Sequence, residues 1–192
     1  MQEILGYSSA IFITASTIPY IRDILLKKTK PERMTWFIWS ILLLIAFFAQ
    51  LAEGASWSLL ATGVDCIAII IIFILSLKYG VGGATKLDIF AIVGAGVGLI
   101  IWYLTKEPLL ALLITIAIDI CAALPTIIKT YKKPHTETLS AYVLCAVGGL
   151  LSAFSVGELN FSLLVFPIWI FILNYSIVIS GYFGNKVLKH KS

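Results

Sequence analysis

Charge is scarce in this 192-residue chain. Only 12% of its residues are Asp, Glu, Lys or Arg, about half the share of a soluble domain. With 60% apolar residues and a mean hydropathy of +1.01, that excludes a disordered tail, a secreted disulfide scaffold and a nucleic-acid binder. Cysteine is nearly as sparse. Cys66, Cys121 and Cys145 all sit inside apolar stretches, and no close Cys/His spacing occurs. Neither a disulfide framework nor a metal site is expected, and no cofactor. The two histidines, His135 and His190, lie in basic segments and read as solvated. The beginning carries Glu3 and no basic residue ahead of its apolar run, unlike a signal peptide, so that run reads as a retained helix. No lipidation motif is visible.

What is abundant is uninterrupted apolar sequence. Charge-free or nearly charge-free stretches run over Ile4–Ile21, Met34–Ala52, Gly54–Leu77, Ile89–Thr105, Pro108–Ile128, Thr138–Gly157 and Leu159–Asn185. A helix needs roughly 20 residues to cross the hydrocarbon, and a backbone in lipid must satisfy its own polar groups. A barrel strand would alternate in polarity, whereas Ile67–Leu75 is apolar throughout. The expectation is an all-α integral membrane protein with seven transmembrane helices in one domain, 1–192.

The basic residues alternate between loops. Arg22, Lys27, Lys28, Lys30 and Arg33 follow the first span, Lys78 and Lys86 the third, Lys129, Lys132 and Lys133 the fifth, and Lys186, Lys189 and Lys191 the last. Only Lys106 falls among the other loops, which carry Glu3, Glu53, Glu107 and Glu158. The positive-inside rule then puts the N-terminus outside and the C-terminus in the cytoplasm. The net charge of +4 reads as topology and contact with anionic lipid, with no nucleic-acid partner.

Part of the chain repeats at one constant offset. Pro31, Thr35 and Gly54 fall on Pro134, Thr138 and Gly157, and Trp39 falls on Tyr142. Pro19 in the first span is answered by Pro125 in the fifth. The halves, 4–80 and 108–184, run in the same sense. A three-helix unit reverses direction, so the helix at 86–105 restores it and links them, a 3+1+3 arrangement of parallel repeats. Its Gly94-Ala95-Gly96-Val97-Gly98 run reads as packing glue between helices.

Two acids stand alone at membrane depth. Asp65 and Asp119 are central in their spans, with no basic residue at that depth. A charge there costs about 2.5–3.5 kcal/mol on insertion scales and usually faces a polar interior. A carboxyl that is charged in a wet cavity and neutral in a closed one can couple protons to solute movement. The structural alternative is a neutral carboxyl bonded to a neighbouring helix. Asn174 is a further candidate hydrogen-bonding group, and Trp169 and Tyr175 are close enough in sequence to wall a cavity. Trp36, Trp57 and Trp102 lie near span ends, where an aromatic belt explains them.

The stretches Pro19-Tyr20-Ile-Arg-Asp-Ile-Leu-Leu-Lys-Lys-Thr-Lys-Pro31 and Pro125-Thr126-Ile-Ile-Lys129-Thr-Tyr-Lys-Lys133, the second followed by Thr138-Leu139-Ser140, resemble the PQ-loop superfamily. That group includes the SWEET sugar carriers, cystinosin-type exporters and PnuC-type vitamin carriers. Tyr20 and Thr126 stand where the family has glutamine, and the first motif, with its Lys-Thr-Lys-Pro-Glu-Arg-Met-Thr-Trp run, looks like a bacterial branch. The resemblance implies two triple-helix bundles around a central cavity, with Pro19 and Pro125 as bend points, since proline removes a backbone hydrogen bond. It implies a carrier, not an enzyme, in a bacterial inner membrane. Its partners would be a small sugar-, amino-acid- or vitamin-like solute, protons and membrane lipid. A monomer would suffice, with oligomers not required. Two other readings stand beside it. One is a non-transporting receptor or assembly protein. The other is an intramembrane aspartyl enzyme, for which the Gly-x-Gly-Asp context is absent at Asp65 and Asp119. No Lys lies within the last span, so a retinal Schiff base is not expected.

Overall fold

The computed structural model describes residues 1–84 and 86–189, with backbone alone for 87, 88, 91, 99, 102 and 189. His190 and Lys191 of the basic tail, and the side chains of Trp102 and Lys189, lie outside the described residues. The helices are α1 (Gln2–Leu25), α2 (Arg33–Ala52), α3 (Ser58–Tyr79), α4 (Lys86–Thr105), α5 (Pro108–Lys132), α6 (Leu139–Phe154) and α7 (Phe161–Lys189), with one 3₁₀ turn at Pro134–Thr136. Among the described residues there is no strand, only a single bridge between Glu32 and Val81.

Local chemistry explains the breaks. Pro108 opens α5 at a position where a missing N–H costs nothing. Asn160 caps α7, its Oδ1 accepting the Leu163 N–H at 2.9 Å. Gly54 turns the chain out of α2 at φ 80°, a conformation that favours glycine.

Five helices, α1, α2, α3, α5 and α7, are long and apolar enough to cross a membrane. That is a coarser result than the seven spans expected. The two exceptions are short in their apolar part: α6 has 16 residues, about 24 Å against a hydrocarbon thickness of about 30 Å, and in α4 the apolar stretch is Ile92–Thr105.

The bundle is apolar on its outer surface and buries a set of polar side chains among its apolar core. Ser9, Ser16, Thr62, Asp65, Thr115, Asp119 and Thr126 are buried, while Ile11, Ile18, Ile67 and Phe154 are each more than 60% exposed. Apolar residues cover much of the outer surface, which water would not tolerate but lipid would. That apolar exterior, with the apolar helices, fits an integral membrane protein.

The packing closes on itself. α3 lies between α1 and α2, α2 packs on α5, α7 lies between α5 and α6, and α6 returns to α1. Six helices thus make a ring, and α4 stands against α5 and, more lightly, α2. The glycine run expected to pack helices does so for two of its three members. A Cβ on Gly94 or Gly98 would meet Ile118 or Ile114 of α5, at 3.3 and 2.6 Å, whereas Gly96 faces open space.

Candidate functional site

Enclosed by the ring is a cavity of about 70 Å³. A water needs roughly 10–15 Å³ by the same measure, so a few waters or one small group would fit. Polar side chains reach it from all around the ring: Ser16 and Tyr20 from α1, Asp65 from α3, Asp119 from α5, Tyr142 and Cys145 from α6, and Asn174 from α7. From α2 come Trp36 and Trp39.

The two acids are held in opposite ways. Asp119 is gripped at both oxygens. The Trp39 indole N–H donates to Oδ1 at 2.6 Å and the Trp169 indole N–H to Oδ2 at 2.7 Å. An indole only donates, so the carboxyl serves both as an acceptor and joins α2, α5 and α7. Asp65 is 8% exposed and has no hydrogen-bond or ion-pair partner among the described residues. It also lines a second, smaller void of about 10 Å³, beside Thr62 and Ser152, on the side away from the lysine-rich loops.

The cavity is shut at its lysine-rich end. Tyr20 and Tyr142, which line it, both donate their hydroxyls to Glu137 Oε2, at 2.9 and 3.1 Å. Glu137 Oε1 faces Lys129 in an ion pair, with the glutamate side chain fully covered. Lys129 also donates to the Lys30 carbonyl. Beside this, Thr29 and Thr138 share a hydrogen bond, and Thr138 donates to Asp23 at 3.0 Å. The Lys30 N–H donates to the Thr136 carbonyl at 3.1 Å. Tyr20 packs on Trp36, and Trp36 edge-on to Trp39. These contacts tie the end of α1 and its following loop to the end of α5 and the start of α6.

Of the side chains singled out in the sequence, Asp65, Asp119 and Asn174 meet at this cavity. Asn174 donates to the Ile170 carbonyl of its own helix at 2.8 Å. Trp169 acts through Asp119. Tyr175 does not wall the cavity: it is 51% exposed and stacks on Phe171 on the outer side of α7. One residue on from the inward Asn174, it is turned by about 100°. Trp36 is likewise no belt residue, being 5% exposed and part of the cavity wall. Pro19 and Pro125 lie inside α1 and α5. Tyr20 joins the closure, and Thr126 is buried with no partner for its hydroxyl.

Sequence reading missed Glu137 and the role of Tyr142. A signal existed for each. Glu137 is a lone acid among Lys132, Lys133 and His135, and Tyr142 is the repeat counterpart of Trp39; both members of that pair line the cavity. Among the described residues no cluster of three His, Cys, Asp or Glu could hold a metal. No family model, curated protein or solved structure matches this chain.

Proposed function

We propose that this chain is a membrane carrier that moves a small polar solute by alternating access, in a 3+1+3 arrangement of seven spans. The observation that carries the reading is the cavity at the centre of the helix ring, holding two buried carboxyls and sealed at one end by contacts between the two halves. The order of packing supports the repeat. In α1–α3 and in α5–α7 alike the third helix sits between the first and second. α4, outside the ring, is then the linker.

In this reading the sealed end is cytoplasmic, because it gathers the lysines, the N-terminus is outside, and the membrane is a bacterial inner membrane. Opening requires Glu137 and Tyr142 to release Tyr20, with Pro19 and Pro125 giving α1 and α5 points at which to bend. Asp65, with no partner of its own, is the group that meets solute or proton. Asp119 is the fixed post around which α2, α5 and α7 are held. The same geometry speaks against an aspartyl enzyme. Two carboxyls sharing a proton must touch, and both oxygens of Asp119 are given to indoles.

The test is reconstitution of the whole chain into proteoliposomes, with labelled sugars, amino acids, amines and vitamins offered with and without a pH gradient. Saturable uptake of one solute, weakened by Asp65→Asn, is expected. Vesicles that take up nothing, from protein whose cavity thiol Cys145 stays unreactive from both sides, would leave the receptor or assembly reading in its place.

A further inference from the structure

The cavity's chemistry is one-sided. Two carboxyls line it, and among the described residues no Lys, Arg or His does. A buried carboxylate with no counter-charge is costly, and the two acids have met that cost differently. Asp119 has its indole donors. Asp65, nine-tenths buried and lining the same space, has none. The same cavity is lined by the aromatic side chains of Tyr20, Trp36, Trp39 and Tyr142, whose ring faces attract cations most strongly where water is excluded. The Trp36 indole N–H is a second buried group without a partner.

Building on the carrier reading, we propose that the cavity recognises a small organic cation, its ammonium group set against Asp65 among the aromatic rings. A hydroxyl or carbonyl on the same solute would satisfy the Trp36 N–H. An anion would meet two carboxyls and no cation. A neutral polyol needs several free donors. Those of Ser16, Thr17 and Trp39 are directed at the Ile13 carbonyl and Asp119, and Asn174 gives one N–H to the Ile170 carbonyl. That leaves, beside the Trp36 N–H, the Thr115 hydroxyl and the second Asn174 N–H. An ammonium supplies what the site lacks, donors and a positive charge, and the volume limits it to a few heavy atoms.

The experiment is calorimetric titration of the purified full-length protein in detergent at fixed ionic strength. The probes are ethanolamine, choline and putrescine, each against ethylene glycol, glycolate and glucose. At least one amine is expected to bind tenfold or more tightly than any neutral or anionic probe, and Asp65→Asn to remove that preference. The bound amine is also expected to slow thiol labelling of Cys145, which lines the same cavity, in the unmodified protein. That readout serves if the Asn variant does not fold. Equal affinity for amine and glycol, or tighter binding of glycolate or glucose, overturns the inference. Uptake of a neutral solute without amine preference overturns it while leaving the carrier reading standing. Amine binding without vesicle uptake upholds this site and removes the carrier.

Discussion

The closure at the lysine-rich end makes a quantitative demand. Glu137→Gln keeps the side chain's shape and removes its charge. The two phenol bonds to Oε2, at 2.9 and 3.1 Å, then fall from charge-assisted to neutral, a loss of about 1 kcal/mol each. The pairing with Lys129 also disappears. Lys129 belongs to the same half as Glu137, so this loss weakens that half and does not by itself favour the open form. Of these contacts only the Tyr20 bond joins the two halves, so the closed form should lose about 1 kcal/mol relative to an open one, or roughly fivefold in population. Cys145 reports the change. It lines the cavity behind Tyr142, and its labelling rate with a small thiol reagent tracks the open fraction when opening is fast. In a Cys66→Ala, Cys121→Ala background, Glu137→Gln should raise that rate roughly fivefold, while Glu137→Asp raises it less. An unchanged rate in a protein that keeps its helical spectrum and melting temperature would refute the argument, because Glu137 would then not be what holds the cavity shut.

Three further outcomes follow from the same contacts. Asp119→Asn leaves one acceptor oxygen for two indoles, so one loses its partner and thermal unfolding in detergent should report a loss of about 1–3 kcal/mol; Asp65→Asn has no bond to lose and should be neutral or stabilising, and equal losses would contradict the indole grip. Gly184→Ala sets a Cβ against the Tyr131 carbonyl oxygen, an overpacking of about 1–3 kcal/mol, whereas Gly96→Ala meets nothing and gains helix propensity of up to about 1 kcal/mol; denaturation midpoints should move in opposite directions. In intact cells, Glu158→Cys should react with an impermeant thiol reagent and His135→Cys should not, both in a background lacking native cysteines; the reverse pattern would invert the proposed orientation.

How far the sequence alone reaches is clear from particular elements. Whether an apolar run is long enough, and where Pro108 or Gly54 interrupts it, are local properties, so the seven helices are legible from hydropathy and punctuation. Asp65 and Asp119 are legible because a carboxyl in an apolar run is costly wherever it faces. The facing itself is not legible. These helices are apolar on nearly every side, and the polarity contrast that orients a helix in water is missing. Hence Trp36 reads as a belt residue although it walls the cavity, and Tyr175 as a cavity residue although it lies outside. Packing decides such cases, because neighbouring helix positions differ by about 100° and only contact with α1, α2 or α5 selects which turns inward. Glu137 shows the same limit from the other direction. In sequence it is one acid in a basic loop, unusual there but without any indication of what it meets. Its meaning comes from Tyr20 and Lys129, brought to it by the end of α1 and the last turn of α5, and a hydrogen bond between distant segments exists only once the ring has closed.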